Sequence, residues 1–575
     1  VTRPAASVRA LAAARGDEPA DLLLTGGEVF VPTSREWVRT DLAICDGVVV
    51  GWGAREARAT IDVGGAALTA GFVDAHMHLE STKLWVDEFV RSVLPHGTTA
   101  VAADPHEIAN VFGVPGVAAL VDAAAHLPFT FGVSASSCVP ASPFESAGAE
   151  LHAADVRALL EAHGAIGVAE VMNFPGVIAG DADLRAKIAA AGHRRVDGHA
   201  PGLQGVALDA YLAAGVESDH ECTRLDEAEE KRRKGMWVFI REGSASRNLA
   251  DLVPMVLTGG TRHVALCSDD REPDLLLTRG HVDHCVQLAV SHGVTVEDAL
   301  VLATINAAEY HGFHHLGSLG PGYQADVLAF DRLADLRPTQ VWQRGRLVAR
   351  DGAVLPDAVP PAPAPEWMLG SVHLAHVPTA GALTAPLPPS GRARVIGLVP
   401  GQITTAHLEL DLTAPGVDVA RIAVLERHHA TGRVGLGWVS GFGLQRGAIA
   451  STVAHDAHNC MVVGARDEAA PRDMAAAVAR LAELGGGQVA VLDGRVLAEV
   501  PLPIGGLMSP HPAPVVADLV AAVNHAAATE LGVTIDTPFM HLSFLGLSVI
   551  PQLRITDRGL VDVDRFELTD VALPG

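Results

Sequence analysis

Cysteine is scarce in this chain, with six in 575 residues at irregular spacing. That excludes a disulfide framework, which needs a dense and paired set, and favours a reducing cytoplasmic setting. Positive charge is also short: Lys plus Arg is 42 against 67 Asp plus Glu, a formal charge of −25. Polyanion binding is carried by basic surface, so no nucleic-acid partner is expected. No run of about 18 uncharged apolar residues stands out, so no membrane span is expected. The opening Val1-Thr2-Arg3-Pro4 lacks the apolar core of a secretion signal. What is abundant is apolar surface. Hydrophobic residues make up 49% and charged ones 19%, enough to build large cores and too little charge for global disorder. The length alone suggests three or four domains.

The rhythm changes along the chain. Residues 21–68 read as short strands with tight turns, including Asp46-Gly47 between apolar runs, a hairpin signal. From about 70, apolar strand-like runs at 72–75, 98–103, 129–133, 166–171, 195–199, 215–219, 236–241 and 263–268 alternate with amphipathic stretches. The latter fall at 83–95, 115–126, 152–163, 182–192, 204–214, 225–234, 246–258 and 279–292. Eight strand–helix units in roughly 250 residues have the repeat of a (β/α)8 TIM-like barrel, with a doubly wound open sheet as the alternative. A strand–turn–strand pattern at 317–357 reads as returning to complete the β unit of 21–68, together a small flanking β-sandwich. A Pro-rich link at 358–368 is semi-rigid. Beyond it, 369–575 mixes strands (392–398, 422–425, 488–491) with Ala-rich helices (473–484, 515–530), a C-terminal α+β domain. The expected fold class is therefore α/β: a barrel at 69–316, the β unit on its flank and the C-terminal domain, with residues 1–20 flexible.

In a barrel of this type, side chains at the C-terminal strand ends converge on one mouth. In Gly71-Phe72-Val73-Asp74-Ala75-His76-Met77-His78, the two histidines share one face of a strand end, because side chains alternate. Later strand ends supply Glu170, His199, His220 and Asp269. Each has a plain structural reading: a hydrogen-bonded His, a Glu paired with a base, an Asp capping the next helix. Their joint occurrence at five of eight strand ends reads as a metal site. Mixed imidazole and carboxylate suits Zn, Mn or Fe(II), and a carboxylate at strand four can bridge two metals about 3.5–4 Å apart.

These residues resemble the amidohydrolase superfamily. The resemblance rests on Leu68-Thr69-Ala70-Gly71-Phe72-Val73-Asp74-Ala75-His76-Met77-His78, Gly97-Thr98-Thr99, Thr304-Ile305-Asn306 and Gly317–Asp326. Within it, longer strings look like the bacterial adenine deaminase family: His78–Lys83, Asp104-Pro105-His106-Glu107-Ile108-Ala109-Asn110, Glu170–Val177, Asp197–Gly202 and Ser218–Thr223. The likeness continues past the barrel at His455-Asp456-Ala457-His458-Asn459 and Gly505–Ser509, and spans roughly 20–575. One departure is informative. Many cyclic-amide hydrolases of the superfamily use a carbamylated Lys at strand four, where this chain has Glu170.

The resemblance implies a hydrolase converting adenine to hypoxanthine and ammonia with two divalent metals, Fe2+ or Mn2+, with Zn2+ as an alternative. The first metal is assigned to His76, His78 and Asp269, and the second to His199 and His220, with Glu170 shared. Asp269 is the expected general acid–base. His106 and Glu107 are the best unassigned acid–base pair, or else a turn after Asp104-Pro105. Asp270 is expected at the purine or as a helix cap. Glu80 follows His78 toward the ligands, with Ser81 as an alternative N-cap, and Arg241 meets substrate or only pairs with Glu242. His455, Asp456 and His458 form either a buried cluster or a lid over the mouth. Cys222 and Cys267 read as packing residues. The rival readings are another binuclear amidohydrolase opening a cyclic amide, and a non-catalytic metal-binding scaffold. A symmetric homodimer or homotetramer is expected.

Overall fold

Short runs of Val, Ala, Phe and Ile with no polar alternation suit strands covered on both faces, and eight such runs form parallel strands. A computed structural model describes residues 6–573. The eight strands are Phe72–Met77, Thr98–Ala103, Thr130–Val133, Gly167–Val171, Arg195–Gly198, Ser218–Asp219, Trp237–Arg241 and Val264–Cys267. Parallel pairing joins the first three. A bridge from Ala135 to Val168 leads to the fourth, which pairs the fifth. The Glu217 N–H donates to Val196 O at 2.9 Å, and the last three pair in turn. A parallel bridge between Met77 and Asp269 returns the eighth strand to the first. The pairing circuit thus closes in chain order, with mixed α/β content throughout.

Two elements differ from the sequence reading. The sixth strand is expected over 215–219 but spans only Ser218–Asp219, because Gly215 turns the chain with φ 107. The helix expected at 115–126 spans His106–Ala124, kinked at Gly113. It starts early because acidic side chains take its first N–H groups: His106 N donates to Asp104 Oδ1 at 3.1 Å and Ile108 N to Glu80 Oε1 at 3.0 Å. The Asp104-Pro105 turn is therefore a helix entry. This helix is also the one element among the described residues long and apolar enough, by composition, to cross a membrane, although no such run was expected; much of it is buried within the fold.

A nine-stranded sheet joins strands from 20–70 with strands from 327–354, the junction being the antiparallel pair Ala67–Ala70 and Val327–Phe330. Asp46 (φ 51) and Gly47 (φ 76) form the two-residue hairpin turn between Cys45 and Val48. The edge strand Val48–Trp52 meets the segment leading into Val327–Phe330, where Val49 N–H donates to Tyr323 O at 2.9 Å, and the sheet packs a core of Leu24, Leu42, Ile44, Val327 and Trp342.

The expected flexible start is ordered from Ser7 onward, while residues 1–5 of that expectation lie outside the described residues. Ser7 caps helix Val8–Arg15, Ala10 and Ala13 are buried, and Arg9 pairs with Asp21 at 2.6 Å.

Beyond the Pro-rich link, an eight-stranded sheet carries Arg392–Leu398, Ala420–Leu425, Cys460–Gly464 and Gly487–Leu492 among its strands. Helices Ala470–Leu484 and Ala513–Thr529 accompany it. This C-terminal part is tied to the first by Ser509 N–H to Lys83 O at 2.8 Å and by Ser146 N–H to Asp557 Oδ1 at 2.9 Å.

Candidate active site

The ends of the parallel strands gather a set of buried donors. His76, His78, Glu170, His199, His220 and Asp269 are none more than 4% exposed. Glu170 is their hub. Its Oε2 lies 2.9 Å from His199 Nδ1, 3.0 Å from His220 Nε2 and 3.9 Å from His76 Nε2. Its Oε1 lies 3.8 Å from His78 Nε2 and 3.4 Å from His106 Nδ1. Asp269 Oδ1 is 3.4 Å from His78 Nε2 and 3.8 Å from His76 Nε2. The His76 and His78 Nε2 atoms face each other at 3.1 Å. Period-2 alternation explains that pairing, and the Asp269 N–H to His76 O bond at 3.1 Å sets the first strand against the eighth.

The donor set fits divalent cations. His199 Nε2, His220 Nδ1 and Glu221 Oε2 are buried without a hydrogen-bond partner among the described residues. Unpaired buried polar atoms are costly unless something else satisfies them. The charges point the same way. Burial opposes ionisation of Glu170, yet His199 and His220 outweigh it and hold the carboxyl well below its usual range. Burial likewise opposes Asp269 as an anion, and Arg241 and His78 overcome it. Burial and the neighbouring His220 and His78 rings keep His76 neutral, the form that ligates. Burial disfavours protonated His199, but Glu221 and Glu170 raise it to about 9. Two carboxylates that recruit positive charge from imidazoles at hydrogen-bond range suit a cation in place of those protons.

A cavity of about 20 Å³ lies among His78, His106, Glu170, His199, His220, Glu221, Asp269 and Asp270. Met172 and the C-terminal residues Ile403, His455, Asp456, Phe544 and Leu547 close it. His106 stands between the two parts, with Nδ1 3.3 Å from Asp104 Oδ1 and Nε2 3.4 Å from Asp456 Oδ1. Burial opposes its protonation, and Asp104 and Asp456 raise it well above the usual value. His455 stacks on Phe544 at 4.5 Å.

The comparisons with known proteins bear on this assembly. Residues 67–349 match the model of the amidohydrolase family, and residues 402–567 match the adenine deaminase C-terminal domain. A relative called adenine deaminase from Desulfatibacillum aliphaticivorans is 45% identical over 574 residues, 98% of this chain and 99% of that one. Adenine deaminase 2 of Carboxydothermus hydrogenoformans is 42% identical over 569 residues, 97% and 98% of the two chains. An adenine deaminase of Brucella anthropi is 43% identical over 560 residues, 96% and 97%. The chain belongs to the adenine deaminase family. As a member it is a hydrolase built on the amidohydrolase pattern, and its buried His/Asp/Glu set is a candidate divalent-metal site.

Within this family member, the remaining expected site residues divide. Asp270, His455 and Asp456 line the cavity, while Glu80, Glu107, Arg241 and His458 sit behind it. Glu80 is spent on the helix entry at Ile108. Glu107 accepts from Ser81 Oγ at 3.1 Å and faces His455 Nδ1 at 3.4 Å and His458 Nε2 at 3.9 Å. Burial and the neighbouring Glu80 push the Glu107 carboxyl well up, so it is held neutral. Ser81 is not an N-cap, since it lies inside the short turn Glu80–Thr82 and its single hydroxyl sits between the Glu107 and Asp270 carboxyls. Asp270 does not cap the next helix, whose N-cap is Glu272. Burial and Asp269 raise Asp270 to about 6. Arg241 does not pair with Glu242. It binds Asp269 Oδ2 at 2.9 Å, Glu221, and Asn248 Oδ1 through its Nε at 3.2 Å.

Sequence reasoning overlooked Asp104, Glu221 and the apolar walls Ile403, Phe544 and Leu547. Asp104 and Glu221 lay inside strings already singled out, next to ligands, and their proximity was the available signal. Ile403 and Leu547 carried no local signal. The six cysteines are free and buried, and Cys222 serves as a thiol donor to Asp219 Oδ2 at 3.0 Å.

Proposed function

We propose that this chain hydrolyses adenine to hypoxanthine and ammonia, using two divalent cations, Fe2+ or Mn2+, held by His76, His78, Glu170, His199, His220 and Asp269. The carrying observation is Glu170 within 3.9 Å of five imidazoles. Relatives called adenine deaminase over nearly the whole chain support the substrate. We read the closed circuit of parallel strands as the (β/α)8 barrel at 69–316. The curled sheet is the flanking β-sandwich of 21–68 plus 317–357, and 369–575 is the C-terminal α+β domain.

A divalent cation held by these six residues would lower the pKa of water to about 7 and so would supply hydroxide at neutral pH. The chain's own groups do the rest. Asp269 is placed to take a proton from the attacking water and hand it to the departing amine, its Arg241 contact fixing which oxygen is free. Water's oxygen first bonds to C6, which becomes tetrahedral as N1 gains a proton; C6–N then breaks and the amine leaves as ammonia with the proton carried by Asp269, while the second water proton, shed by the C6 hydroxyl as C6=O forms, replaces the one delivered to N1. His106, kept charged by Asp104 and Asp456, is placed to hold that N1 proton. His455, Asp456 and Phe544 cover the cavity and keep bulk water out. A volume of about 20 Å³ holds roughly one water, so the C-terminal cover moves aside to admit a purine.

The test is direct. The protein loaded with Mn(II), and separately with Fe(II), is assayed for ammonia release and hypoxanthine absorbance from adenine, with a hydantoin and dihydroorotate as alternatives. Turnover of adenine alone is expected. Metal-replete protein inert toward adenine would sink the reading. A homodimer or homotetramer is proposed for the same preparation, read by light scattering.

A further inference from the structure

One fully buried ammonium outside the cavity ties together the two loops that carry His199 and His220. Lys231, on helix Leu225–Arg233, has no side-chain exposure, and neither do its partners Asp219 and Glu227. Its Nζ donates to Ala200 O at 2.7 Å, Asp219 Oδ2 at 3.0 Å and Glu227 Oε1 at 2.6 Å. Ala200 directly follows His199, and Asp219 directly precedes His220. The same Asp219 accepts the Ala200 N–H on Oδ1 at 2.7 Å, and Glu227 accepts the Gly202 N–H at 2.8 Å. Ala200 is therefore held at both its N–H and its C=O, and the three donors of one ammonium are all used. Burial works against charge on Lys231, but Asp219, Cys222 and Glu227 more than restore it. Burial likewise opposes the Asp219 anion, and Lys231 holds it down to about 2.

We infer that Lys231 is a positioning residue that sets the separation of His199 and His220, whose ring centroids lie 5.3 Å apart at 79°. Neither Lys231 nor its three partners Ala200, Asp219 and Glu227 line the cavity, so its effect reaches the site through these two loops. The inference rests on the metal-site reading above, but not on adenine being the substrate. Partners behind metal-ligating imidazoles fix ring orientation, and losing one costs roughly 10- to 100-fold in metal affinity.

Lys231→Met keeps all but the last atom of the side chain's length and removes the charge. The full-length Mn(II)-loaded protein is challenged with graded chelator, and retained Mn(II) is counted by electron paramagnetic resonance. Expected is a loss of roughly 10- to 100-fold in the affinity of part of the bound Mn(II), with kcat lowered and the KM for adenine unchanged. Leu481→Ala, a buried change in helix Ala470–Leu484 of the C-terminal part, serves as the matched destabiliser and is expected to keep parental affinity. Equal loss in Leu481→Ala, or parental Mn(II) affinity in folded Lys231→Met, overturns the inference. If Lys231→Met does not fold, Asp219→Asn keeps an oxygen for the Ala200 N–H and removes the one that accepts from Lys231 and from the Cys222 thiol. A loss of the same sign supports the inference and parental affinity overturns it. Because Mn(II) retention is read without adenine, a parent that binds metal and ignores adenine sinks the functional reading alone.

Discussion

The cavity has two walls of different origin. One is made of strand ends: His78, Glu170, His199, His220 and Asp269, drawn from residues within the first 270. The other is made of loops and a short helix more than 130 residues further on: Ile403, His455, Asp456, Phe544 and Leu547. The strand-end wall is rigid, because each donor is seated at the end of a ladder and backed by buried partners such as Arg241 and Asp104. The loop wall is apolar and stacked, with one acid reaching across to His106. Under the proposed function, ligand-holding falls to one wall, and coverage and proton placement to the other.

Glu170→Gln is the most damaging change to the strand-end wall. The amide offers one acceptor oxygen where the carboxylate meets five imidazoles. A fall of about 10³-fold or more in kcat/KM is expected, together with lost Mn(II) on dialysis; full metal content in an inert variant would show that Glu170 acts only in chemistry. Asp456→Asn probes the other wall. It weakens the hold on the His106 proton, so kcat is expected to drop by about 10²-fold with metal content unchanged. Metal loss in Asp456→Asn would break the division between the walls. Arg241→Met lies behind the first wall and frees Asp269 and Glu221. Its expected cost is roughly 10- to 100-fold in metal affinity, checked by chelator competition.

The smallest expected effect concerns the seam between the two parts. Glu145 accepts the Ser142 N–H at 3.1 Å, and burial, then Asp456, raise its carboxyl to about 8 from 4.5. The folded state keeps this proton after the unfolded state has lost it. Stability from this group is therefore full below pH about 4.5 and declines as pH rises toward about 8. Glu145→Gln is expected to flatten that decline in a series of melting temperatures. An unchanged slope would remove Glu145 as its source.

Much of the strand-end wall was legible because its signals are local. His76 and His78 announce themselves by alternation, and the other ligands by falling where an apolar run ends. Strand positions at 98–103 and 392–398 agree with those found. Several misreadings were cases in which a distant group supplied the partner. Helix His106–Ala124 begins early because Glu80, 28 residues upstream, satisfies Ile108. Arg241 ignores its neighbour Glu242 and binds Glu221 and Asp269 instead. Glu107 resembles a catalytic acid in its string, yet packing with Ser81, His455 and His458 places it behind the cavity.

By itself, the order of residues determined the parallel strand rhythm, the hairpin at Asp46-Gly47 and the identity of the six metal-ligand candidates, because alternation and turn chemistry act over a few residues. Tertiary structure alone decided how the strand-end groups pair with one another, which acids are held neutral and which distant side chains roof the cavity. Those outcomes depend on burial and on charges brought within 4 Å by chain closure, and no local pattern carries that information.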